Sequence, residues 1–413
     1  MRILVLSAAI PFPPISGGKL RTYHLLRALS RAHELTLVGF TYGETPGMPP
    51  FPVRVIAVPW ESPPLYRQMT DGNAAMAQQA ADQLVSVTGE PWCVSWAESA
   101  AMTTTVQRIA RDSIDLVLLA GTPMARFLPA LPSDTPRVLD FMDVYTRMAL
   151  RQTEAKQGEE AAAAAREAER VRRFEREAAI RCDRCLAVSE EETSAVRELF
   201  GVAHVDTVPN GVDTSFFRPS DEEPESGCLL FTGTMSYRPN AEAVQHFVSN
   251  VLPLIVRELP EAKLHVVGDA PPQEVAALAG QHVVVHGFVP DMRVYHRRAA
   301  VVVVPLLRGG GTKLKVLEAA AMGKAIVTTS IGADGLAFRN GEEVVVADGP
   351  PDFARAVVSL ANDPEQQRRL GASAHSASLQ YDWDRIGDRF IQIVDALLQR
   401  QPPLERDLPA SPC

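Results

Sequence analysis

Four consecutive valines, Val301 to Val304, run into Pro305 and then into three glycines, Gly309, Gly310 and Gly311. A β-branched run of this kind reads as a buried strand. Behind the glycines lies a helix-forming segment with Glu318 at its centre, and after Gly323 the apolar run Ala325 to Thr328 returns to strand character. Strand, glycine loop, helix and strand is a βαβ signature, and it commits at least this part of the chain to an α/β fold. A helix that starts behind a glycine loop aims backbone N–H groups and the positive end of its dipole at whatever lies above it, which suits a phosphate. Gly309, Gly310, Gly311 and Thr312 form the expected cradle, with Lys313 and Lys315 as counter-charges. Three successive glycines are costly in chain entropy, so a tight turn alone explains them poorly. Glu318 stands in an otherwise apolar LEAAAM run, where a carboxylate needs a partner, and a sugar diol supplies two hydroxyl donors.

The same alternation recurs along the chain. Strands are expected at Arg2 to Ser7, Leu35 to Phe40, Val53 to Val58, Asp115 to Ala120, Val138 to Phe141 and Cys185 to Val188. Helices are expected at Leu20 to Ala32 and Glu159 to Ile180, and Ser189 with Glu192 forms a capping box for a further one. A second series of strands begins at Cys228 and continues through Leu264, Val283, Val301, Ala325 and Val344, with residues 352 to 396 helical. Strands alternating with helices predict parallel, doubly wound sheets, and 413 residues exceed what one core serves. The expected division is a domain at 1–212, a second at 213–380, a C-terminal helix at 381–400 and a disordered tail at 401–413. The stretch 219–227, PSDEEPESG, is the most linker-like segment between the halves.

A net charge of −9 argues against a nucleic-acid surface, which should be basic. Residues 1 to 40 are locally basic, with Arg2, Lys19, Arg21, Arg27 and Arg31 against Glu34, a pattern compatible with an anionic acceptor, an anionic membrane surface or a merely solvated face. Cys182 and Cys185 make a CxxC with no second pair to complete a zinc set, so buried free thiols are expected there. The start has too short an apolar stretch for a signal peptide, and no run approaches a membrane span, so the reading is cytosolic, with peripheral membrane attachment left open.

The pattern LEAxAxGKxIV behind a glycine-rich loop resembles the donor site of family 4 glycosyltransferases, which have the GT-B fold of two Rossmann-like domains facing across a cleft. PFPPISGGKLRTYHLLRALSRAHELTLV resembles that family's first strand, glycine loop and helix. CLAVSEEE, VPNGVDTSFFRP, LLFTGTMSYRPNAEAV, LHVVGDAP and VVVHGFVPDM resemble later elements, so the likeness covers most of the chain, nearest to sugar transferases of bacterial exopolysaccharide loci. It implies an acceptor-side first domain and a nucleotide-sugar-binding second domain. Gly17, Gly18 and Lys19, with Arg21, would face the donor diphosphate from the first domain. Gly233, Arg238, Phe288, Gly310, Gly311, Thr312, Lys313, Lys315 and Glu318 would hold the donor in the second, where Gly287-Phe288-Val289 packs on a nucleobase or forms an ordinary strand-end loop. The expected reaction is transfer from a nucleoside diphosphate sugar to a hydroxyl of a saccharide or lipid-linked saccharide, with retention and without a metal or other cofactor.

Three positions depart from the family pattern. The first of its two glutamates falls on Gly310. Its basic pair falls on Thr234 and Pro239, for which Arg238, Lys313 and Lys315 are the available substitutes. Its first-domain histidine falls on Met142, flanked by Asp140 and Asp143, the acidic candidates for positioning acceptor or sugar, or for capping. Lys315 is the candidate for stabilising the leaving diphosphate. A nonhydrolysing nucleotide-sugar epimerase and a non-catalytic nucleotide-sugar-binding scaffold remain as alternatives.

Overall fold

The computed structural model describes residues 1–61, 89–154, 156–309 and 312–399. The chain divides into two compact units, one formed by Met1–Val208 together with the segment from Gly387 onward, the other by Pro209–Ile386.

The first unit is built on a seven-stranded sheet, and each of its strand pairs is parallel. Its strands are β1 (Arg2–Ser7), β2 (Glu34–Thr41), β3 (Arg54–Pro59), β4 (Leu116–Ala120), β5 (Arg137–Asp140), β6 (Arg184–Ala187) and β7 (Val205–Thr207). They lie in the order β3-β2-β1-β4-β5-β6-β7. β1 pairs on both sides, Ile3 with Leu35 of β2 and with Leu116 of β4, which is why its residues from Ile3 to Ser7 are all buried.

The second unit has a six-stranded parallel sheet of β8 (Cys228–Thr232), β9 (Lys263–Val267), β10 (Val283–Gly287), β11 (Val301–Val304), β12 (Ile326–Thr328) and β13 (Val345–Val346), ordered β10-β9-β8-β11-β12-β13. The four valines of β11 are buried, as the uninterrupted apolar run required. In both sheets the strand order reverses beside the first strand, between β1 and β4 and between β8 and β11. Chains leaving the carboxyl ends of two such strands diverge, and the crevice left there is where doubly wound sheets take ligands.

The Gly158–Ile180 helix and the Ser189 cap, whose side chain accepts from the Glu192 N–H, appear as read from the sequence. Residues 64–110 read from the sequence as helical with interruptions; 64–88 of that stretch, like the tail from Gln401, lie outside the described residues, and Trp92–Ser95 and Ala100–Ile109 are helices. Two boundaries need correction. The division falls at Val208, ahead of residue 212, and the final helix, Trp383–Leu398, joins the first unit from Gly387 onward rather than standing alone. The linker-like 219–227 stretch belongs inside the second unit. Its acids are the reason: Glu225 takes two hydrogen bonds from Arg298, and Glu222 lies 3.3 Å from Arg297. Acid-rich composition marked surface ion pairing there, not a hinge.

Candidate active site

In the second unit the carboxyl ends of β8 and β11 bring together residues far apart in sequence. β8 runs directly into Gly233, whose φ of 147° is open to glycine and rarely adopted by other residues. A methyl group on Gly233 would lie 2.8 Å from the Lys315 ammonium nitrogen and 2.7 Å from the Asn240 amide nitrogen. The neighbouring strand end is equally tight, since a methyl on Gly268 would fall 1.8 Å from the Gly233 carbonyl oxygen. Backbone therefore forms this wall of the site.

The Leu314–Ala321 helix supplies the charges. Val316, Leu317, Ala319, Ala320 and Ala321 are buried, which leaves Leu314, Lys315 and Glu318 as its less covered stripe. Residues three and four apart share a helix face, so core packing alone orients Lys315 and Glu318 to one side. Its N-cap residue, Lys313, is in an extended conformation and makes no side-chain cap, so the cap residue itself does not close off the first-turn N–H groups. Lys315 Nζ donates to the Asn240 side-chain oxygen at 2.6 Å and sits 4.3 Å from the centre of the Phe231 ring. Glu318 has no hydrogen-bonding or ion-pair partner among the described residues.

Both side chains keep some contact with solvent, yet protein surrounds them closely enough to disfavour their charges. Burial pushes the Glu318 carboxyl up to about 7, against the pull of Lys315. Burial also brings Lys315 down to about 7, with Glu318 opposing and Lys313 adding to the fall. The pair is thus poised to change charge near neutrality when an anion or a hydroxyl pair arrives.

Other expected residues are placed as follows. Thr312 and Lys313 are buried beside the helix start, and Gly310 and Gly311 lie outside the described residues. Arg238 opens the Arg238–His246 helix with an exposed side chain hydrogen-bonded to Glu242. Phe288 follows Gly287 at the end of β10 and is 70% exposed. Three residues were missed from the sequence. Asn240 holds Lys315, and Glu242 takes both a fork from Arg308, at 2.6 Å for each bond, and one bond from Arg238. Arg308 precedes the glycine loop, so Glu242 ties the root of that loop to the helix behind it. The one usable signal was the PN pair of GTMSYRPN, where an amide stands beside the position expected to be basic.

In the first unit the helix Gly17–Leu29 starts at the glycine pair. A methyl on Gly18 would lie 3.7 Å from the Met142 sulfur, and one on Gly121, after β4, 3.9 Å from the same atom. The loops after β1, β4 and β5 therefore meet around Met142. Two expectations are corrected here. Arg21 does not present its guanidinium to a ligand, because it is 1% exposed and forks onto Asp140 through Nε and Nη2, each at 2.8 Å. Asp140 is likewise 1% exposed and has both oxygens engaged, so it anchors the helix rather than meeting substrate. A buried guanidinium requires such a partner. Asp143 sits in the same loop, and Lys19 lies 3.9 Å from Glu44. Glu175, unforeseen and fully buried, accepts from Thr122 and Thr146 hydroxyls and from the Tyr145 and Thr146 N–H groups, fastening the loops after β4 and β5. Burial pushes it up to about 7, against those hydrogen bonds.

Comparison with known proteins fits this layout. The family model described as Glycosyltransferase Family 4 matches residues 15–216, and that described as Glycosyl transferases group 1 matches residues 227–363. The chain belongs to the family 4 glycosyltransferases. Similar relatives include an uncharacterized 44.6 kDa protein in the cps region of Klebsiella pneumoniae, 23% identical over 36% of this chain and 40% of that one. Another is D-inositol 3-phosphate glycosyltransferase 1 of Catenulispora acidiphila, 26% identical over 52% of this chain and 58% of that one. The chain spans about half the length of the curated relatives it matches. Among solved structures, sucrose-phosphate synthase from Thermosynechococcus elongatus superposes with a TM-score of 0.69 at 15% identity, covering 96% of this chain and 99% of that one. HepE of Anabaena, solved with UDP and glucose, superposes with a TM-score of 0.65 at 15% identity over 96% of this chain and 100% of that one. These likenesses establish the fold of this glycosyltransferase as GT-B.

Proposed function

We propose that this glycosyltransferase moves a sugar from a nucleoside diphosphate donor to a hydroxyl of a saccharide or lipid-linked saccharide, with retention, in the assembly of a bacterial exopolysaccharide. The observation that carries the reading is the placement of the Lys315 ammonium against Gly233 at the switch point of the second sheet, with Glu318, unpaired among the described residues, beside it on the same helix face. The ammonium and the helix start suit a diphosphate, and the carboxylate suits ribose hydroxyls. Exposed Phe288 offers a face to a nucleobase. HepE, of the same fold, was solved with UDP, UDP-glucose, and UDP with glucose, and the Klebsiella relative comes from a cps region.

In the proposed step the bond between the anomeric carbon and the diphosphate oxygen breaks, and the acceptor oxygen bonds to that carbon from the same face. The acceptor proton passes to the departing phosphate, and Lys315 stabilises the charge that develops there. The locally basic N-terminal stretch gives little support to membrane attachment, since Arg21 is buried on Asp140, Lys19 lies near Glu44 and Arg31 bonds to Asp388.

Calorimetric titration with UDP, GDP, ADP and dTDP and their sugars tests the reading. One nucleotide series should bind and the others should not. Absence of binding by every series would overturn it, as would acceptor-independent interconversion of donor sugars with no nucleotide released.

A further inference from the structure

Asn240 is 6% exposed on the Arg238–His246 helix and engages both ends of its amide. Its oxygen accepts from Lys315 Nζ at 2.6 Å, and its nitrogen donates to the Thr234 carbonyl at 2.8 Å. The second bond fixes the amide's orientation, because a flipped amide would set a donor against the ammonium and an oxygen against a carbonyl. Lys315 and Glu318 are three apart on one helix, with Cβ atoms expected about 5–6 Å from each other, a spacing at which opposite charges normally pair. No ion pair joins them among the described residues. The ammonium instead reaches to the Gly233 side, over the Phe231 ring.

We propose that Asn240 holds Lys315 away from Glu318, so that the ammonium remains available to a phosphate and the carboxylate to hydroxyls. What the two freed charges bind rests on the glycosyltransferase reading, whereas the separation itself does not. The residue type fits the task. A neutral acceptor orients an ammonium without cancelling its charge, whereas an aspartate would cancel it and a lysine would repel it. A serine is too short to bridge the same two groups. Asn240 is a positioning residue in this scheme, acting through Lys315.

The experiment is trace acetylation with acetic anhydride across pH 5–10, with peptide mass spectrometry reading the titration midpoint of Lys315 in the full chain without nucleotide. The charged groups bearing on that ammonium are Glu318 and Lys313. In Asn240→Ala, Lys315 should fall back onto Glu318, and its midpoint should rise by about one unit, as an adjacent opposite charge requires. Adding Glu318→Gln in that background should bring the midpoint back down. Asn240→Ser, a smaller change, should move in the same direction and serves if the alanine variant is poorly folded. UDP, GDP and ADP titrated into both single variants should bind about ten-fold more weakly than to the unaltered chain, as for a lost charged contact. A midpoint that falls or stays put in both variants overturns the separation, and so does a rise that Glu318→Gln fails to reverse. Failure of the unaltered chain to bind any nucleotide would instead strike the glycosyltransferase reading, leaving the Lys315 midpoint to decide the role of Asn240.

Discussion

At the scale of single residues, the proposed function expects the two charges on the Leu314–Ala321 helix to differ in what they contribute to binding and to turnover. Glu318→Gln keeps the shape but weakens acceptance from two hydroxyls, worth about 1.5–3 kcal/mol to a charged partner. A ten-fold or greater rise in nucleotide dissociation constant is expected by calorimetry, with little change in melting temperature. Lys315→Ala should lower turnover about a hundredfold, on the order of removing one preorganised donor, while donor affinity falls less. Steady-state kinetics against varied donor separates these, and a change in Michaelis constant alone would make Lys315 a tether. The pH dependence has a definite sign. Glu318, raised to about 7, loses its charge as pH falls through that value, and Lys315, lowered to about 7, loses its charge as pH rises through it. Nucleotide affinity should therefore decline on both sides of neutrality. His296 gives a residue-scale test of stability. It is fully buried, neither ring nitrogen has a hydrogen-bonding partner among the described residues, and burial, aided by Lys324, brings it down to about 3. Because that lies below its ordinary value of about 6.5, its contribution to stability is present above that pH and is lost as pH falls toward 3. His296→Leu should flatten the acid limb of urea-unfolding curves below pH 6.5, and at pH 7 leave stability unchanged or raised by about 1 kcal/mol. An acid limb of unaltered slope would show that other groups control it.

At the scale of elements, the strands were legible because parallel strands buried on both faces must be apolar throughout, as Val301–Val304 and Ile3–Leu6 are. The glycine loop and Glu318 stand out as candidates because three glycines and a carboxylate in an apolar helix each violate what packing alone prefers. Partnerships were not legible. Arg21 and Asp140 are 119 positions apart, and nothing in either segment announces the other. Arg21 therefore reads as facing a ligand, and Asp140 as either a positioning acid or a cap, whereas in the fold each satisfies the other's buried charge. Asn240 was missed for the converse reason, since an asparagine near a helix start is ordinary as a cap and only the fold shows it against Lys315. The Arg21–Asp140 fork attaches the first helix to the end of β5. Removing one member of a buried pair costs about 3–5 kcal/mol through the charge left behind. Asp140→Asn should lower the first unit's unfolding free energy by an amount of that order in urea titrations. Loss of activity at undiminished stability would instead return Asp140 to the site.

At the scale of the whole molecule, the two units have separate cores. One is built from residues such as Leu4, Val38, Leu119 and Phe141, the other from Leu230, Val266, Val303 and Val327. Two cores divided in this way favour two thermal transitions rather than one. From Gly387 onward the final helix belongs to the first unit by contact as well as by division. Phe390 and Val394 are fully buried, Gly387 lies so close to Ala28 that a methyl group there would approach to 2.7 Å, and Asp388 bonds to Arg31. The residues assigned to nucleotide, from Gly233 to Glu318, all lie in the second unit. A ligand that binds only the folded state stabilises by about 2.7 kcal/mol at a hundredfold excess over its dissociation constant. Scanning calorimetry with the binding nucleoside diphosphate should therefore raise chiefly one transition, by several degrees. Truncation after Ile386 identifies which one. It strips the Phe390 and Val394 face from the first unit, so it should lower the transition that nucleotide leaves unmoved and preserve the nucleotide-dependent shift of the other. If nucleotide instead raised the transition that truncation lowers, the donor would be held by the first unit, and the assignment of Lys315 and Glu318 would fail.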